Sequence, residues 1–187
     1  YTIVGGQTLT ISGGAFNGTI DGNTNNYHEE SNDLSGEGNI IISGDVTMNG
    51  NIGATNKTHL LTVNSAKTLI LSDTIDTIKT SNVTLESHAV LDLGNSTSGY
   101  NIGSDNSFSL SSNISMGTNS TINVGNATII GNIYGATDGT GTLNVVGNFT
   151  AQAGLGIGTI LDINGVKLNN STIGQGGDNS LAQINIS

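Results

Sequence analysis

Between residues 60 and 93 the same strand pattern occurs twice, and this echo constrains every fold the chain can adopt. Leu61-Thr-Val-Asn-Ser-Ala-Lys-Thr-Leu-Ile-Leu71 lies over Val83-Thr-Leu-Glu-Ser-His-Ala-Val-Leu-Asp-Leu93 at a constant offset of 22 residues. Large apolar residues coincide at Leu61/Val83, Val63/Leu85, Leu69/Leu91 and Leu71/Leu93, with Thr62 over Thr84 and Ser65 over Ser87. Apolar residues alternating with polar ones give strands that bury one face. Self-similarity at a period of about 20–50 residues belongs to stacked repeat architectures. One coil of parallel β-structure is therefore expected to lie on the next.

The rest of the chain repeats the style at less regular intervals. Thr8-Leu-Thr-Ile-Ser12 and Ala15-Phe-Asn-Gly-Thr-Ile20 read as short strands, as do Asn39-Ile-Ile-Ile-Ser43 and Asp45-Val-Thr-Met48. Asn51-Ile-Gly53 follows, and Thr74-Ile-Asp-Thr-Ile78 is expected to form the third side of a coil. Beyond Gly94, Leu110 and Met116 align with Leu85 and Leu91 at an offset of 25, which implies a coil with about three extra residues. Ile122-Asn-Val124, Leu143-Asn-Val145, Leu161-Asp-Ile163 and Ile184-Asn-Ile186 repeat one triplet at spacings of 21, 18 and 23. Such variation is expected where insertions fall in corners and strands keep their faces.

The expected fold is all-β: a right-handed parallel β-helix (β-solenoid) of about 7–9 coils, each of roughly 18–25 residues, forming one domain over 1–187. At about 4.8 Å per coil, it makes a rod about 40 Å long. An antiparallel β-sandwich of short strands is the competing architecture, but it gives no reason for a 22-residue echo. Asn-Gly and Gly-Asn pairs at 49–51, 125–126, 131–132, 147–148 and 164–165 mark corners, where residues tolerant of positive φ are needed. Their Asn side chains either stack as amide ladders along the rod or are simply solvated in turns.

Composition narrows the function. The chain is polar but poor in charge: 10% charged residues against about 25% in ordinary domains. Such a balance can signal disorder, but disorder has no reason to keep a period of two. Four lysines, no arginine and a net charge of −10 exclude nucleic acid and anionic lipid as partners. Absence of cysteine fits either a reducing cytosol or a secreted chain that avoids disulfides. No apolar run is long enough to span a membrane as a helix. Tyr1 and Ser187 both lie in strand-like sequence, so both ends are expected to be cut from something longer.

Gly125-Asn-Ala-Thr-Ile-Ile-Gly-Asn-Ile-Tyr-Gly-Ala136, Gly141-Thr-Leu-Asn-Val-Val-Gly-Asn148, Ala151-Gln-Ala-Gly154 and Asp178-Asn-Ser-Leu-Ala-Gln-Ile184 carry a more specific likeness. Residues 113–187 resemble the passenger regions of rickettsial surface-cell-antigen autotransporters of the outer membrane protein A and B type. Residues 39–112 share the style without such close phrases. The resemblance implies a β-helical passenger on the outside of a Gram-negative cell, acting as an adhesin in host-cell attachment and invasion. It supplies no site motif, and the family's C-terminal translocating barrel is not in this sequence.

The densest set of functional groups lies in the polar run 21–38, which breaks the strand pattern as a loop excursion. Tyr27, His28, Glu29, Glu30 and Asp33 are its candidate binding residues, an aromatic among acids suited to a host-cell surface protein or glycan. The plain alternative is an unstructured acidic loop. Calcium is chemically conceivable, but the complete Asp-x-Asn-x-Asn-Gly motif of a calcium loop is absent, and no cofactor is implied. Glycoside hydrolysis needs two carboxylates a few ångströms apart, and the 22-residue register places Glu86 over Asn64 and Asp92 over Ile70. No acid stacks on an acid there, so the expectation is a non-enzymatic adhesin, with a spacer that presents another module, or a carbohydrate-active enzyme, as alternatives. His59 and His88 are expected at the surface. Ile41 and Ile70 should face outward, where a contiguous apolar strip would mark a contact surface.

Overall fold

The computed structural model describes residues 1–23, 36–72, 74–75, 77–93, 100–103, 113–124, 127–130, 133–134, 140–145, 149–151, 159–163, 168–169 and 183–186. Among them there is no helix, and every paired strand is parallel to its neighbours. A first sheet stacks Thr8–Ile11, Asn39–Ile42, Thr58–Val63, Thr80–Leu85, Asn113–Met116 and Ile133–Tyr134 in chain order. A second stacks eight strands, from Gly14–Phe16, Val46–Met48, Thr68–Leu71 and Val90–Asp92 to Thr121–Val124, Gly141–Val145, Thr159–Ile163 and Gln183–Ile186. A third holds Thr77–Ile78, Tyr100–Gly103, Ala127–Ile130, Phe149–Ala151 and Leu168–Asn169, extended backwards by single bridges from Ile78 to Ile52 and on to Ile20. From Thr8 to Ala151 the described strands and bridges thus visit first, second and third sheets in rotation, and the later ones alternate between the second and third. Thr2–Ile3 and Asp21–Gly22 form a separate parallel pair.

Alternation fixes which side chains go inside. In Asn39–Ile42 the isoleucines at 40 and 42 are buried while Asn39 and Ile41 are half-exposed. In Thr68–Leu71, Leu69 and Leu71 are buried while Ile70 is 40% exposed. Parallel pairing places like on like between coils, so inward residues form continuous files. One runs Ile40, Leu61, Val83, Ile114, Ile133 and another Val46, Leu69, Leu91, Ile122, Leu143. All ten are essentially inaccessible to solvent and belong to one apolar cluster. Full burial of such a side chain is worth about 1.5–3 kcal/mol, so each file is a substantial source of stability.

The 22-residue echo is literal. Leu61 pairs with Val83, Thr62 with Thr84, Val63 with Leu85 and Leu69 with Leu91. The four triplets after residue 120 also pair in the read register, Ile122 to Leu143 to Leu161 to Ile184. The coil between them does not follow its expected register. Leu85 pairs with Met116 and Leu91 with Ile122, both at an offset of 31 rather than 25. Met116 therefore belongs to the first sheet and not the second, and Leu110 lies outside the described residues. Alternation marks a segment as strand-forming without saying which file it joins; this repeat carries nine extra residues rather than three, two between Leu91 and Ile102 and seven between Ile102 and Ile114.

Corners also differ from expectation in one respect. Positive φ on non-glycine residues falls at Ala66, His88 and Asn119, all on the corner between the first and second sheets. At Asn49-Gly50-Asn51, by contrast, none of the three has positive φ. Glycine is required at 50 for proximity instead: a Cβ there would collide with the carbonyl of Gly18 in the preceding coil. Asn side chains do pair between neighbouring strands, in one case at an Asn-Gly corner and there in an exposed position. Asn49 Nδ2 donates to Asn17 Oδ1 across coils at 2.7 Å, and Asn144 Nδ2 donates to Asn123 Oδ1 at 3.2 Å. The first pair is at a corner, while the second stands mid-strand on the outer face of the second sheet.

Candidate functional site

The loop that carries the candidate binding residues leaves the sheets through a defined stem. Asp21–Gly22 pairs with Thr2–Ile3, Gly22 N–H donates to the Asn56 carbonyl, and Asn23 N–H donates to the Ile3 carbonyl, both at 3.0 Å. On the return side, Glu37 N–H donates to the Lys57 carbonyl at 3.2 Å. The Asp21 carboxylate accepts from the Thr55 N–H at 2.8 Å and the Asn56 N–H at 3.4 Å, so residues 55–57 are tied to both arms.

Gly22 and Gly36 make this closeness possible. A Cβ on Gly22 would strike the Lys57 carbonyl oxygen, and one on Gly36 would strike the Thr58 carbonyl. Gly36 also sits at φ +72°, a conformation that side chains resist. Gly22 and Gly36, on either side of the segment, therefore both close on the Lys57–Thr58 backbone. Tyr27, His28, Glu29, Glu30 and Asp33 lie outside the described residues, so the structure places their stem and not their side chains.

Three carboxylates, those of Asp21, Asp45 and Glu86, are occupied in tying neighbouring strands and turns together. Glu86 Oε2 accepts from the Ser65 N–H at 2.8 Å and from Ser65 Oγ at 3.0 Å. Asp45 Oδ1 accepts from the Thr68 N–H at 2.9 Å. With Asp21, three acids thus satisfy turn or strand-end N–H groups one coil away. Such groups have no ladder partner, and a carboxylate is a strong acceptor for them. Sequence register missed this role because all three acids accept from backbone N–H groups, which have no residue-type signature; only Glu86 also accepts from a side chain, the Ser65 hydroxyl. No group of three or more His, Asp or Glu side chains among the described residues is placed to hold a metal ion.

His59 and His88 are both on the surface. His88 occupies a corner at φ +61°, with Nδ1 2.8 Å from Ser87 Oγ and Nε2 3.4 Å from Asn119 Nδ2. Ser87 Oγ also donates to the Thr118 carbonyl at 3.2 Å, so these contacts bind one corner to the next.

On the strand faces, outward apolar residues do not coalesce among the described residues, although at the start of the chain the Tyr1 and Phe16 rings lie 5.2 Å apart. Ile70 stands between Thr47 and Asp92 on the second sheet, and Ile41 between Thr10 and Thr62 on the first. Tyr134, 40% exposed, stands beside Ser115, while Tyr1 and Val4 are exposed at the start of the chain. Scattered apolar residues of this kind do not mark a contact surface. Compared with known proteins, the chain matches no family model, no curated protein and no solved structure.

Proposed function

We propose that the three parallel sheets are the walls of one right-handed β-solenoid, one coil per strand of the eight-stranded sheet. On this reading the chain is a non-enzymatic, cell-surface passenger segment of an autotransporter, similar to the rickettsial surface-cell-antigen proteins. Its role is host-cell attachment through the loop that carries Tyr27, His28, Glu29, Glu30 and Asp33. The partner is a host-cell surface protein or glycan. The observation that carries this reading is the loop stem: Gly22 and Gly36 close on one short backbone segment, which suits a built excursion from a rigid rod. Engagement of Asp21, Asp45 and Glu86 in backbone hydrogen bonds supports a scaffold over a hydrolase, which needs a free carboxylate pair.

A spacer that lifts another module from the surface is the second reading, favoured by the scattered outward apolar residues. Binding of the purified, fluorescently labelled chain to host cells separates the two. An adhesin binds saturably, and replacing 24–35 by a short Gly-Ser join, with Gly22 and Gly36 kept, abolishes binding without changing the circular dichroism spectrum. Absent binding by the intact chain, or binding unchanged by the deletion, would overturn adhesion through this loop.

A further inference from the structure

The tripeptide Asn-x-Ser/Thr, the acceptor signature for N-linked glycosylation, recurs along this chain. Five copies are wholly described: Asn17-Gly-Thr19, Asn56-Lys-Thr58, Asn82-Val-Thr84, Asn113-Ile-Ser115 and Asn119-Ser-Thr121. Two of them follow from strand alternation alone. Val83 and Ile114 are buried, so the flanking polar residues belong to the outward positions, and Asn82 pairs with Asn113 and Thr84 with Ser115. Both tripeptides are held in the ladder of the first sheet and cannot be drawn into another protein's active site without breaking it.

Two more are closed by their side chains. Thr58 is fully buried, and its N–H donates to the Lys79 carbonyl. Asn119 has its amide nitrogen on His88 Nε2 and its backbone N–H on Thr140 Oγ1.

Asn17-Gly18-Thr19 differs from all four. It lies at a corner, outside any strand, with a glycine and not a core residue at the centre, so alternation does not explain it. Asn17 and Thr19 are both exposed. Asn17 Oδ1 is held by the Asn49 Nδ2 donor at 2.7 Å, while its own Nδ2 makes no hydrogen bond among the described residues. The amide oxygen is thereby held toward Asn49, which leaves the nitrogen of this exposed side chain free.

We infer that Asn17 is an acceptor site for N-linked glycosyl transfer. In the reaction, Asn17 Nδ2 forms a bond to the anomeric carbon of a nucleotide-activated sugar. The anomeric C–O bond to the diphosphate breaks, the nucleotide leaves with the electron pair, and one amide proton passes to a base on the transferase. No oxidation state changes. The inference is independent of the adhesion reading, because it is tested by covalent mass and not by binding.

The test incubates the folded protein with an Asn-x-Ser/Thr-reading glycosyltransferase and a nucleotide-activated hexose, followed by intact-mass measurement and peptide mapping. One hexose per chain, mapped to Asn17, is expected. It is lost in Asn17→Gln and in Thr19→Ala and retained in Thr19→Ser. Asn49 acts as a positioning residue. Asn49→Asp turns the donor into an acceptor that captures Asn17 Nδ2, slowing modification several-fold, whereas Asn49→Ala only frees the amide to rotate and slows it less. A short peptide containing Asn-Gly-Thr serves as acceptor control in the same reaction. The site is overturned if the peptide is modified and the folded chain is not, or if Asn82 takes hexose as readily as Asn17.

Discussion

Buried hydroxyls test how closely single residues fit this architecture. Thr58 and Thr80 pair across the first sheet and both are fully buried. Thr80 Oγ1 donates to the Asn82 carbonyl at 3.2 Å, whereas Thr58 Oγ1 has no partner among the described residues. A buried unpaired polar group costs about 1–3 kcal/mol. Thr58→Val keeps the β-branched shape and removes the orphan hydroxyl, so stability should rise by about 1 kcal/mol in urea unfolding. The opposite sign is expected at the loop stem. Gly36 combines φ +72° with a blocked Cβ position. The left-handed conformation alone costs a side chain about 1–2 kcal/mol, and collision with the Thr58 carbonyl adds to it. Gly36→Ala should therefore lower stability by about 2 kcal/mol or more, measured in the same way.

At the scale of the strand, inward and outward neighbours should respond very differently to the same substitution. Leu69 is fully buried between Val46 and Leu91, while Ile70 is 40% exposed between Thr47 and Asp92. Leu69→Ala should cost about 2–5 kcal/mol, and Ile70→Ala about 0.5 kcal/mol or less, a contrast read from thermal or urea unfolding. Their roles were legible in the sequence because two identical phases 22 residues apart define both a face and a register. The coil after Leu93 was not legible in this way. Ser107-Phe-Ser-Leu110 alternates as a strand would, and nothing local distinguishes it from the segment that pairs with Leu85, which is Asn113–Met116. The candidate site divides along the same line. An aromatic among acids picked out 27–33, but the stem depends on Gly22 and Gly36 meeting Lys57 and Thr58, more than 20 residues distant, which no local pattern encodes.

For the whole molecule, the order of pairing determines how stability is shared. Each described strand bonds only to the strands before and after it in its own sheet, and each sheet runs in chain order. Stability in such a stack is approximately a sum of terms for each repeat and its nearest-neighbour interfaces, because the apolar cluster is extended along the stack and each segment touches only the part beside it. A defect should therefore stay local. In Leu69→Ala, amide exchange should accelerate most in Val46–Met48, Thr68–Leu71 and Val90–Asp92, which share its file. Thr159–Ile163, four strands further along the same sheet, should retain its exchange rate. Loss of about 2 kcal/mol at the defect corresponds to roughly 30-fold faster exchange through local opening, since 1.4 kcal/mol is tenfold. Equal acceleration in both regions would show that the sheets unfold as one cooperative unit. Acceleration that decays from coil to coil would give the range over which one coil supports the next, and hence how firmly residues 55–58 can hold the loop stem when distant coils open.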